Sequence, residues 1–250
     1  MAARRDLRAE VAIVLLVTFA WSGLWSLTVL IGYQLGPGVA QTTVSLNPVR
    51  SRFPVIDFAL QALDAVQLFA WAALALYLLR RTGIGAAALG LGRLTGRAAA
   101  RAAGYGVGLA AAIGLPGLAL YAAGRELGLT AHVMPATGGV PWWRIIAYVL
   151  LAIANALAEE VVVVGYLTTR LRQLGFGAAT TLAASAVLRG SYHLYQGFGA
   201  GLGNLVMGLI FGAAYLRWRR LWPLVIAHAI MDIVVYVGYA TLGSHLGILS

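Results

Sequence analysis

The sequence contains no cysteine, and none of its 18 basic residues is a lysine. Without cysteine there is no disulfide scaffold, no thiolate nucleophile and no thiolate zinc site. Charge is scarce too. Only 10% of the 250 residues are charged and 61% are hydrophobic, whereas soluble domains are about half apolar and a quarter charged. So few charges cannot cover a soluble fold of this size. Acidic residues number eight, which leaves a net charge of +10, but the arginines do not cluster as a nucleic-acid-binding patch requires. No nucleic-acid partner is expected. The arginines stand instead at the ends of hydrophobic runs, the arrangement that sets membrane topology. The chain reads as an integral membrane protein whose first partner is the lipid bilayer.

Seven apolar runs read as spans: about Val11–Tyr33, Val55–Leu79, Ala102–Ala123, Ile145–Thr169, Gly177–Tyr195, Gly201–Leu216 and Leu221–Leu242. An eighth exists if the connector Thr82–Arg101 holds a re-entrant or interfacial piece. The first run is too long for the core of a signal peptide and is expected to be retained. The expected fold class is an all-α, polytopic transmembrane helix bundle, with 1–250 forming a single membrane domain. With the N-terminus cytoplasmic, Arg50, Arg52, Arg125 and Arg144 fall outside, Arg189 lies within a span, and the other 13 arginines fall inside. This places the C-terminus outside. Pro116 is expected to kink the third span. Gly104/Gly108, Gly199/Gly203 and Gly208/Gly212 have the spacing that lets helices approach closely in lipid. No internal repeat of the transporter kind is evident.

Ionisable groups at bilayer depth are expensive and are functional-site hypotheses by default. Glu159 and Glu160 are adjacent in the fourth span. Arg189 and His193 are four apart in the fifth, and His228 and Asp232 four apart in the seventh, so each pair is expected to share a helix face. A carboxylate with two imidazoles in a water-poor cavity can deprotonate water and steady the oxyanion that forms. Alternatively, Glu159, His193, His228 and Asp232 could hold zinc or another divalent metal that activates the water. Adjacent carboxylates point about 100° apart on a helix, so one faces the site while Arg189 pairs the other. Blander readings remain beside these: a proton relay or structural ion pair for the glutamates, an interface role for His193 between Tyr192 and Tyr195, a structural hydrogen bond for His228 with Asp232. His132 and His245 read as solvated. Asp57 and Asp64 read as lining an outer vestibule or making a packing contact. Helical rise puts Glu159 about 16 Å from Arg170 but His193 about 24 Å from Gly177, too deep to meet the others unless the fifth helix is tilted or starts higher.

The stretches Glu159-Glu160 with Gly165-Tyr166-Leu167, His193-Leu-Tyr-Gln-Gly197 and His228-x-x-x-Asp232 resemble, in order, the three motifs of the CPBP family of intramembrane proteases. That family includes the CAAX prenyl endopeptidases and the bacterial bacteriocin-processing or self-immunity proteins called Abi. The resemblance covers about residues 150–236. It implies an endopeptidase of the cell membrane, here a bacterial one, acting on a peptide or protein substrate. Glu159 would activate water with His193, and His228 with Asp232 would hold the oxyanion, with or without a metal. Three positions depart from the pattern: Val164 replaces the arginine of the first motif, Arg189 replaces a phenylalanine four before His193, and Asp232 replaces an asparagine. The departures suggest that Arg189 supplies from the fifth helix the charge that position 164 lacks. A silent immunity or binding protein on the same fold, and a proton-coupled transporter using the two glutamates, are the alternative functions.

Overall fold

The computed structural model of the chain describes residues 2–134, 141–238 and 241. Within them run α1 (Ala2–Leu16), α2 (Phe19–Leu35), α3 (Pro54–Arg81), α4 (Gly96–Glu126), α5 (Trp142–Glu159), α6 (Leu167–Gln173), α7 (Ala178–Ser191), α8 (Phe198–Trp218) and α9 (Trp222–Ile233). A wide π-helical stretch, Glu160–Tyr166, joins α5 to α6 without a break, and a second, Val234–Gly238, extends α9. The protein is an all-α, multi-pass membrane bundle. Four helical rods are long and apolar enough to cross a bilayer by themselves: α3, α4, the α5–α6 rod and α8. The α1–α2 pair makes a fifth if it counts as one bent span, and α9 with its extension is a shorter apolar helix.

Each of the seven expected runs contains a helix or helices of its own. The first is bent by 51° between α1 and α2. At the bend the Thr18 hydroxyl donates to the Val14 carbonyl at 2.7 Å, the side-chain competition that bends helices. Pro116 lies inside α4. The connector after α3 is no span, but its 3-10 turn Ala86–Leu89 buries Leu89 in the main core. The seventh run extends beyond the described residues, and His245 and the C-terminus lie outside them.

Contacts between loops define two ends. At the arginine-rich end, Arg4 donates to the Leu174 carbonyl, and Arg170 donates to Thr82 Oγ1 and the Leu78 carbonyl. Gly90, at φ +74, abuts the Arg220 backbone so closely that a Cβ would collide with its Cα, and the Leu221 amide donates to the Leu89 carbonyl at 3.0 Å. This packing lets α9 begin beneath the surface, with Leu221 and Leu224 fully buried. The opposite end is knitted by Arg144 on Asp57 at 3.0 Å, by Tyr148 on the Asn47 carbonyl, and by a short parallel pairing of Thr43–Ser45 with His132–Met134.

The core surrounds the π-helical stretch, every residue of which is buried. Gly208 and Gly212 bring α8 against α7: a Cβ on Gly208 would sit 2.8 Å from Ala186 Cα. Gly104 and Gly108, expected to pack in the same way, have nothing within 4 Å. In α4 it is Gly106, against Ile226 of α9, that makes the close approach. Spacing alone cannot say which side of a lipid-facing helix finds a neighbour.

The fifth run is not one helix. α7 stops at Ser191 and a 3-10 turn, Leu194–Gln196, follows. Tertiary hydrogen bonds turn the chain here: the Tyr195 amide donates to Ser26 Oγ at 2.6 Å, and the Gln196 carbonyl accepts the Ala131 amide at 2.9 Å. The expected shared helix face of Arg189 and His193 is therefore corrected, because His193 lies past the helix end.

Candidate active site

The ionisable residues of α5, α7 and α9 meet in one buried cluster. Arg189 is its centre. Its Nη2 donates to Glu160 Oε1 at 2.6 Å, and its Nη1 lies 3.2 Å from Glu159 Oε2 without hydrogen-bond alignment. Both carboxylates and the guanidinium are almost wholly buried. Burial of two adjacent carboxylates requires a counter-charge, and Val164, fully buried among apolar side chains, cannot supply one.

Glu160 faces α9, where His228 Nδ1 lies 2.8 Å from its Oε1. A carboxylate offers only lone pairs, so Nδ1 is the donor. The other ring nitrogen, Nε2, lies 3.6 Å from Asp232 Oδ1, an ion contact longer than a hydrogen bond. Glu159 faces another way. Its Oε2 accepts the Tyr192 hydroxyl at 2.5 Å and its Oε1 accepts Asn155 Nδ2 at 3.1 Å. The same Asn155 amide donates to Asp232 Oδ2 at 3.0 Å, linking the two carboxylates.

His193 follows Tyr192, whose hydroxyl binds Glu159, and its ring packs on Tyr192 with centroids 4.9 Å apart. Both of its ring nitrogens are buried and have no hydrogen-bond partner in the protein. The expected depth conflict therefore does not arise. α6 and α7 share one tight turn, and from that turn Glu159 is 14 residues up one helix and Tyr192 14 residues up the other. Equal rise brings them level. Measuring from Arg170 and from Gly177 used two different origins.

Asn155 and Tyr192 were missed as site residues. Asn155 precedes Glu159 by four on a helix, a spacing that signals a shared face, whereas no spacing in the sequence points to Tyr192. Asp57 and Asp64 lie outside the cluster. Asp57 is a packing residue, fully buried under Arg144, the Gln61 amide and the Arg50 and Ser51 backbone amides. Asp64 pairs with Arg50 at 2.8 Å beside a cavity.

The tetrad Glu159, His193, His228 and Asp232 does not form a ligand set: among the described residues, no three His, Asp or Glu side chains are arranged to hold a metal ion. Both oxygens of Glu159 already accept hydrogen bonds, from Tyr192 and Asn155, and Asn155 also binds Oδ2 of Asp232.

A helical membrane bundle thus gathers three carboxylates, two imidazoles and a guanidinium in one cluster. Residues 141–234 match the family model described as type II CAAX prenyl endopeptidase Rce1-like, a family of proteases. The match covers a little over a third of the chain, contains every residue of the cluster, and bears out the resemblance to CPBP intramembrane proteases. No curated protein and no solved structure matches the chain.

Proposed function

We propose that the protein is an intramembrane endopeptidase in which Glu159 and His193 activate water for attack on a peptide bond. The observation that carries this reading is His193: an imidazole with two unpartnered buried nitrogens costs free energy unless something pairs with it. A water between His193 and Glu159 would do so. Glu159 takes the proton of that water as its oxygen bonds to the carbonyl carbon, and returns the proton to the leaving amine as the C–N bond breaks. Tyr192 and Asn155 orient the carboxylate. The oxyanion is held by His228 Nε2, which must then carry a proton in addition to the one that Nδ1 gives Glu160. Asp232, having no proton to donate as a carboxylate, keeps Nε2 turned to the site. Arg189 neutralises the Glu159–Glu160 pair and takes the place of the arginine absent at 164. In this reading the water is activated without a metal. The Rce1-like description names prenylated CAAX substrates; for this chain we propose only a peptide or protein reached within a bacterial cell membrane, with the N-terminus cytoplasmic.

The test is hydrolysis of a quenched fluorescent peptide library by the full chain in proteoliposomes. Glu159→Gln keeps the shape of the side chain and removes the base, so the rate falls by about 10²–10⁴-fold. A chelator leaves the parent rate unchanged; its loss would restore the metal reading. A silent binding protein would show no hydrolysis in parent or variant.

A further inference from the structure

Against the cluster lies a cavity of about 230 Å³, walled mainly by polar side chains: Asn47, Arg50, Gln61, Asp64, Gln67 and Asn155. One water takes about 30 Å³ of liquid volume, so the space admits several waters or part of an extended peptide. Asn155 is both a wall of this cavity and the amide that binds Glu159 and Asp232. The cavity therefore stops at Asn155, one side chain short of Glu159 and Asp232.

Its direction is set by α3. Asp57, Gln61, Asp64 and Gln67 are spaced four, three and three apart, which gathers them on one helical face. The stripe starts near the loop end of α3 and runs down to Gln67, which lies 13 residues and about 20 Å from the first residue of the helix, Pro54. An exposed amide at that depth is costly against lipid, and the cavity gives it polar surroundings. Gln61 Oε1 is buried there with no partner, an acceptor left for an N–H or a water. Arg50 and Asp64 pair at 2.8 Å but are both partly exposed, at the outer rim. The other end of the molecule is closed between α1, α3 and α6 by the fully buried Arg170, which binds Glu10, Thr82, Gln173 and the Leu78 carbonyl.

Building on the hydrolase reading above, we infer that this cavity is the route by which water and a polar, extended peptide segment reach Glu159, and that it opens on the face opposite the arginine-rich end. By the positive-inside rule that face is the non-cytoplasmic one. The peptide backbone pairs with the amides of Gln61, Gln67 and Asn155, which offer both donors and acceptors.

The natural absence of cysteine makes single-cysteine labelling direct. Gln67→Cys and Asp64→Cys, with Ala88→Cys as a reference on the exposed connector of the arginine-rich end, are treated with a membrane-impermeant maleimide on intact cells and on inverted vesicles. The expected result is that Gln67→Cys and Asp64→Cys react from one side and Ala88→Cys from the other. Labelling of Gln67→Cys then lowers peptide hydrolysis at least tenfold relative to the same variant unlabelled. The inference is overturned if Gln67→Cys reacts from the same side as Ala88→Cys, or only after detergent solubilisation. The labelling pattern does not require catalysis. If the sidedness holds but no peptide is cleaved, the hydrolase reading fails and the water route stands; if cleavage proceeds undiminished in the labelled protein, the route fails and the hydrolase stands.

Discussion

α4 and the α5–α6 rod are nearly equal in length, 31 and 32 residues, and both are apolar enough to span a bilayer. Yet only 11% of the most apolar stretch of α4 is buried in the protein, against 61% for the rod. Lipid tails are as apolar as leucine, so hydrophobicity does not drive one membrane helix behind another. What draws the rod to the centre is polarity. Glu159 and Glu160 need Arg189, His228, Tyr192 and Asn155 around them, and satisfying those groups pulls α7 and α9 against α5. α4 carries its arginines at or near its ends and makes its close contact through a small residue, Gly106.

The contrast is broken most severely at the charge that holds the rod. Arg189→Ala takes from two buried carboxylates the guanidinium that both of them contact, and a loss of about 3–5 kcal/mol is expected, read as a fall in the thermal unfolding midpoint in detergent. A folded Arg189→Ala protein as active as the parent would show that Val164 needs no replacement charge. Next is Tyr192→Phe. It removes a hydrogen bond to a buried carboxylate, about 1.5–3 kcal/mol, and should lower kcat by roughly 10–100-fold while KM changes little. Gly212→Val tests packing without charge. Its Cβ meets Leu182 Cδ1, and overpacking of this kind costs about 1–3 kcal/mol, measured as lost thermal stability with the active-site residues intact. The smallest effect is expected in α4, where Gly104→Ala meets nothing. Its stability should stay within about 0.5 kcal/mol of the parent. A larger loss would mean that α4 is a packed helix after all.

Much of the cluster was legible in advance because membrane chemistry makes it so. A glutamate pair, an arginine and two histidines within apolar runs have few alternatives to meeting one another, and Arg189 on one of the two glutamates was expected from chemistry alone. What was not legible depended on where helices stop. Arg189 and His193 are four apart, a spacing that says helix face, but hydrogen bonds from Tyr195 to Ser26 and from Ala131 to Gln196 end the helix first. Gly104/Gly108 and Gly208/Gly212 have the same spacing and opposite surroundings. Residue types alone do not reveal that Tyr192 and Asn155 bind both oxygens of Glu159.

The sequence by itself determined that the chain lives in a membrane, which runs form helices, and which few residues carry chemistry, because each follows from the cost of placing a given side chain in lipid. Only the tertiary structure decided that α5 and α6 are central and α4 peripheral, that Glu159 and Glu160 face different partners, and that Asn155 joins the site to a polar cavity. These depend on the rotation of each helix about its axis and on the turns that set its starting depth. Both are fixed by contacts between segments far apart in the chain.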